Sequence, residues 1–199
     1  MLEVRDGNAA AFEELVLRYQ GRLLTVLQHL VGDRDLAEDL VQEVFLRVYR
    51  ARTNYEPGAK FSTWLYTIAN NVGANALRTL SRHPETTLGM PDSGSMAVRS
   101  LDTMLQASSS QMPARQLDKA ETREIVRLAL ESLGERQRMA VLLSKFEEMS
   151  YDEIASIMEL SPQAVKSLLS RARESLREVL QPYFEHGVRP GGEANHERA

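Results

Sequence analysis

"SYDEIASIMELSPQAVKSLLSRARESL", residues 150–176, carries two helix-start signals eleven positions apart. In "SYDE", Ser150 can cap a helix while Glu153 reaches back to it, the reciprocal capping pattern. In "SPQA", Ser161 takes the cap position and Pro162 the first helical position, where a missing N–H removes no bond. Met158, Glu159 and Leu160 leave only a tight connection between the two helices, which predicts a helix-turn-helix. On the second helix Val165, Leu168, Leu169, Ala172, Leu176, Val179 and Leu180 fill an apolar arc of roughly 120°. The other side presents Gln163, Lys166, Ser167, Ser170, Arg171, Arg173 and Arg177. Short hydroxyls between long cations let a helix approach a nucleic-acid groove closely while clamping phosphates. An ordinary amphipathic surface helix has the same periodicity. The tight turn and the acidic helix before it favour a recognition helix.

The rest of the chain sets the bounds. It has 199 residues and a formal net charge of -4, where a simple nucleic-acid binder would be basic. That total hides a polarity. Residues 147–159 hold five acids (Glu147, Glu148, Asp152, Glu153, Glu159) and no base, whereas residues 162–180 hold four bases against two acids. No stretch approaches the roughly twenty apolar residues of a membrane span, so no membrane insertion is expected. The start, "MLEVRDGNAAAFEEL", has no basic segment followed by an apolar run, so no secretory signal is expected. Cysteine is absent, which fits a reducing cytoplasm and removes disulfides and thiolate sites. His29, His83, His186 and His196 are scattered without ligand spacing, so neither a metal nor a cofactor is implied.

Apolar residues recur at helical spacing through most of 8–83 and again through 119–183, with no convincing period-two alternation. The fold class is therefore all-α, two small helical domains over 1–83 and 119–183. A Pro-, Gly- and Ser-rich stretch, 84–118, reads as a flexible linker, and 184–199 as a disordered tail. In the first domain Asp6 or Asn8 can cap a helix that Gly32 ends. Pro57-Gly58 makes a turn, and Ser62 can cap a helix carrying Trp64, Leu65, Ile68 and Ala69, with Phe61 and Trp64 as core residues. Asn70-Asn71-Val72-Gly73 is a poor helix interior and predicts a break. The second domain divides into helices starting near Glu121, Gly134, Ser150 and Pro162.

Two further stripes invite a function. In "RDLAEDLVQEVFLRVYRA", Leu36, Ala37, Leu40, Val41, Val44, Phe45 and Val48 face a core. Asp35, Asp39, Gln42, Glu43, Leu46 and Arg50 collect on the opposite side. A solvated face and a docking surface both fit, and the lone aliphatic Leu46 tilts towards docking. In "ANALRTLSRH", Asn75, Arg78 and Arg82 share a face just after the amides Asn70 and Asn71. They are either plain surface residues or a track for an extruded base and its phosphates. No convergent nucleophile, base or metal ligands suggest an enzyme.

Taken together, "DGNAAAFEELVLRY", "DLAEDLVQEVFLRVYRA" and "FSTWLYTIANN" resemble the successive parts of region two of bacterial extracytoplasmic-function sigma factors. "LGERQRMAVLLSKFEEMSYDEIASIMELSPQAVKSLLSRARESLREVL" resembles their region four. The resemblance covers about three quarters of the chain and implies a transcription initiation factor, not an enzyme. It implies that Asp39, Gln42, Glu43 and Leu46 meet core RNA polymerase. Asn70, Asn71, Asn75, Arg78 and Arg82 would meet the downstream (minus-10) promoter element, with Asn71 at the base-capturing position. Gln163, Lys166, Ser167, Ser170, Arg171 and Arg173 would meet the upstream (minus-35) element. Promoter DNA and an anti-sigma factor are the other implied partners. The chain departs from the family pattern at Asn70, often basic there, and at Leu168, often Arg. The competing readings are a stand-alone helix-turn-helix regulator, which leaves the Asp35–Arg50 stripe without a task and predicts a dimer on palindromic sites, and a purely structural helical adaptor.

Overall fold

The computed structural model describes residues 1–82 and 119–186, and every regular element among them is helical. The expected linker over 84–118 and the tail beyond His186 lie outside the described residues. The first half comprises α1 (Leu2–Arg5), α2 (Ala9–Val31), α3 (Arg34–Arg50), a single 3-10 turn (Ala51–Asn54) and α4 (Phe61–Arg82). Asn8 is the cap of α2, its side chain accepting from the Ala11 N–H at 3.2 Å. Gly32 ends that helix in the left-handed conformation with φ +80. Asp33 starts α3 by accepting from the Leu36 N–H at 2.7 Å. Ala37, Val44, Phe45 and Val48 then bury the apolar side of α3 against α2 and α4.

Helix α4 departs from expectation in three ways. It begins at Phe61, with the Lys60 carbonyl accepting from the Trp64 N–H, so Ser62 lies inside the first turn and is not the cap. Phe61 and Trp64 are half-buried, in an edge-to-face cluster with Tyr19 and Tyr55, not in the deep core. And α4 runs unbroken for 22 residues through Asn70–Gly73. The reason is packing: a Cβ on Gly73 would stand 2.5 Å from Leu30 Cδ2, so the missing side chain lets α4 approach α2. Burial of Ala69, Val72 and Gly73 outweighs weak helix propensity.

The second half comprises α5 (Lys119–Glu131), α6 (Glu135–Lys145), α7 (Tyr151–Met158) and α8 (Pro162–His186). Helix α8 extends past Phe184, where a disordered tail was expected to begin.

The two halves pack on one another and share a single apolar core, which takes in Leu23, Leu27 and Leu30 from α2 and Met139, Leu142 and Met158 from the second half. Polar groups stitch the seam. Arg138 on α6 donates to the Leu30 carbonyl at the end of α2 (2.9 Å) and to the Glu131 and Leu133 carbonyls after α5 (2.7 and 3.1 Å). Glu147, with 3% of its side chain exposed, pairs with Arg22 of α2 at 2.8 Å. Burial raises its carboxyl above the ordinary range, against the opposing pull of Tyr66 and Arg22. Glu153 pairs with Lys60 at 2.9 Å, and the Ser150 backbone N–H and Lys60 hold its carboxyl down at about 2. His29 lies at the same seam, its ring 5.4 Å from that of Phe146, and burial followed by the Arg138 charge lowers it to about 4.

Two predictions follow from this packing. Gly73→Ala gains about 1 kcal/mol of helix propensity but forces Leu30 aside at an overpacking cost of roughly 1–3 kcal/mol; a net loss is expected in urea denaturation, and a gain would show that the seam is loose. His29 titrates lower in the folded protein than its ordinary 6.5. As pH falls, the unfolded chain therefore takes up that proton first. The stabilisation is whole above pH 6.5 and is lost on approaching pH 4, on the order of 3 kcal/mol. His29→Gln should flatten stability against pH across that window, and parallel curves for the two proteins would contradict it. Comparing them isolates His29 from Glu147, whose shift acts with the opposite sign.

Candidate nucleic-acid interface

The helix-turn-helix is built by its caps. The Ser150 hydroxyl accepts from the Glu153 N–H at 3.3 Å, and Glu153 Oε2 accepts from the Ser150 N–H at 2.9 Å. Helix α7 ends on Glu159 in the left-handed conformation (φ 54), and the Leu160 N–H closes back onto the Ala155 carbonyl at 2.9 Å. Ser161 then opens α8, its hydroxyl accepting from the Ala164 N–H at 3.1 Å. Val165, Leu169 and Ala172 are buried, while Leu168 and Leu176 are half-buried against the core. This fixes the rotation of α8. Gln163, Lys166, Ser170, Arg171 and Arg173 are exposed and Ser167 is half-exposed. Arg173 leans back towards α7, donating to the Tyr151 hydroxyl at 3.2 Å, so one cation of the set is oriented by its neighbour.

The α4 residues divide. Asn71, Asn75, Arg78 and Arg82 are exposed at successive spacings of four, three and four, which one helical face holds. Asn75 accepts from Arg78 Nη1 at 3.3 Å. Asn70 is set apart, because in an unbroken helix it points about 100° away from Asn71. It is half-buried and directs Nδ2 at the Ile157 carbonyl of α7, 3.5 Å away. The two amides therefore do not act side by side at a helix break. A cleft of about 470 Å³ opens here, lined by Asn70, Asn71 and Arg78 from α4 and by Glu135, Arg136 and Glu159 from the second half.

On α3, Asp39, Gln42 and Leu46 are exposed and Glu43 is partly exposed, with Glu43 held by Arg47 at 2.6 Å. The sequence reading missed what lies beside them. Phe12 and Val16 of α2 join Val41, Phe45, Leu46 and Tyr49 of α3 around a mainly apolar groove of about 570 Å³. Leu46 is 50% exposed and Tyr49 44% on its rim. Phe12 stacks near both Phe45 and Tyr49, at 6.4 and 5.1 Å between ring centres. Two aromatics one helix apart were the available signal, but only the fold shows that they leave a furrow. The acidic run of 147–159 is also not a uniform solvated face, since Glu147 and Glu153 turn to cations of the first half.

Among the described residues, no helix is long and apolar enough to cross a membrane. Residues 15–83 match the family model for sigma-70 region 2, and residues 123–176 match that for sigma-70 region 4. The RNA polymerase sigma-H factor of Pseudomonas aeruginosa is 34% identical over 184 residues, covering 90% of this chain and 91% of that protein. The ECF RNA polymerase sigma-E factor of Escherichia coli is 34% identical over 179 residues, again covering 90% and 91%. Two solved structures share the fold. CnrH in complex with the cytosolic domain of CnrY has a TM-score of 0.64 at 22% identity, over 90% of this chain and 93% of that one. The sigma factor RpoE of Bartonella quintana, bound to the anti-sigma factor NepR, has a TM-score of 0.64 at 24% identity, over 86% and 97%. With both regions present in order, and with relatives of this identity along nine-tenths of its length, the chain belongs to the extracytoplasmic-function group of the sigma-70 family of RNA polymerase sigma factors.

Proposed function

We propose that this sigma factor binds core RNA polymerase through the α3 stripe and reads two promoter elements with separate helices. The observation that carries the reading is the rotation of α8. Its buried arc leaves Gln163, Lys166, Ser170, Arg171 and Arg173 outward on a capped helix-turn-helix, the arrangement that enters a major groove. That face would meet the minus-35 element. Asn71 would capture a flipped base of the minus-10 element, with Asn75, Arg78 and Arg82 along the strand and Asn70 at its margin. Asp39, Gln42, Glu43 and Leu46, with the neighbouring apolar groove, would receive a polymerase helix pair. An anti-sigma factor covering the same groove is the inhibitor this reading implies, and the site of action is the cytoplasm.

The net charge of -4 fits this division of labour. Opening about ten base-pair steps costs on the order of 14 kcal/mol, which few clustered cations cannot supply. Polymerase contributes the non-specific phosphate attraction, and the sigma factor adds two short readouts. No catalytic step belongs to it.

Run-off transcription with cognate core polymerase on fragments of the source genome should show specific initiation that disappears in the triple variant D39A/Q42A/E43A. Initiation that survives would remove the stripe from the polymerase interface, and initiation never seen with wild-type protein would refute the function. Arg171→Ala should weaken upstream-element binding by the holoenzyme and reduce the salt slope by about one if it contacts a phosphate; an unchanged slope removes it from the set.

A further inference from the structure

The cations on the outer side of α8 do not stand alike. Among the described residues, Lys166, Arg171 and Arg177 are exposed without a side-chain bond, whereas Arg173 is tied to another element. Its Nη2 donates to the Tyr151 hydroxyl of α7 at 3.2 Å, across 22 positions of sequence. Elsewhere Arg18, Arg34, Arg47 and Arg127 are each taken by a carboxylate one turn away on their own helix. Arg173 is held by a neutral oxygen. Its orientation is therefore set while its charge stays uncompensated, although Asp152 and Glu174 adjoin the pair in sequence.

Tyr151 is equally prepared. It is the first residue of α7, directly after the Ser150 cap, so the reciprocal Ser150–Glu153 bonds fix where its ring leaves the helix. It is 38% exposed. A phenol both accepts and donates. Its oxygen accepts from Arg173, and no described residue accepts from its own O–H. Arg173 likewise spends a single N–H and keeps the rest of its fork. A bond accepted from a cation polarises the phenol and strengthens it as a donor. Adjacent donors with a positive charge and no acceptor of their own suit a phosphate oxygen.

The helical period says where that phosphate lies. At about 100° per residue, Arg173 stands about 20° from Lys166 and about 40° from the buried Leu169. It therefore occupies the margin of the outward face, and its bond shows that this margin is the one turned to α7. Arg171 stands about 160° away, on the opposite margin. In a helix-turn-helix the second helix enters the groove while the first crosses the backbone. A cation bonded to the first helix is thus placed over the backbone, not over the base edges.

Resting on the function proposed above, we infer that Tyr151 is a positioning residue: it presets Arg173, and the pair clamps one backbone phosphate of the upstream element. Gln163, Ser167 and Ser170, nearer the centre of the face, are left to the bases. An arginine that is already oriented loses less rotamer freedom on binding, a saving of roughly threefold to tenfold in affinity.

The test is binding of the holoenzyme to a duplex carrying the upstream element mapped by run-off transcription, with its phosphates replaced singly by neutral methylphosphonates. In the wild type, neutralising one phosphate beside the element should weaken binding, and R173A should abolish that sensitivity. Y151F should cost roughly threefold to tenfold, equally on variant upstream sequences, and should cost nothing further in R173A. A tyrosine that only braces α7 would add its loss to that of R173A. Additive losses, a Y151F effect that alters base preference, or no phosphate whose neutralisation R173A masks would each overturn the clamp, while promoter-specific initiation by the wild type leaves the function standing. Absence of that initiation overturns the function and the clamp with it.

Discussion

Glu147 is a carboxylate almost wholly removed from water, and a buried charge without a partner costs several kcal/mol. Its guanidinium partner sits 125 positions away on α2. The pair can therefore exist only while the halves of the chain are packed, and that packing is supported by the core continuous from Leu23 and Leu30 to Met139 and Met158. Arg138 reinforces it by donating to helix-end carbonyls from both halves, groups that would otherwise be left without partners in an apolar seam.

Such a seam differs from a core interior. Its apolar part is non-directional, whereas the charge pairs and Arg138 fix one relative pose. Helix α4 is its hub. One side packs on α2 and α3, closely at Gly73; another meets α7; the remaining face carries Asn71, Asn75, Arg78 and Arg82.

Local signals were legible where the physics is local. The caps at Asn8, Ser150 and Ser161 and the stop at Gly32 involve residues within a few positions of one another. The buried arcs of α3 and α8 follow from a fixed helical period, which also settles which side of α8 faces out. The α4 break was misread because Gly73 was judged by propensity, when its role is to let another helix come near. The Asp39–Leu46 stripe was readable as exposed, but the groove beside it needed Phe12 and Val16 from a different helix.

The sequence by itself thus determined the helical class, the helix-turn-helix and the outward faces of α3 and α8, since caps and periodicity act over a turn or two. Tertiary structure alone decided that α4 is continuous, that Asn70 and Asn71 part ways, that acids of the 147–159 run answer to Arg22 and Lys60, and that Asn71 and Arg78 line a cleft shared with the second half. Each of those depends on which distant surfaces meet, and the free energy of such a meeting is a sum over contacts that no single stretch of chain contains.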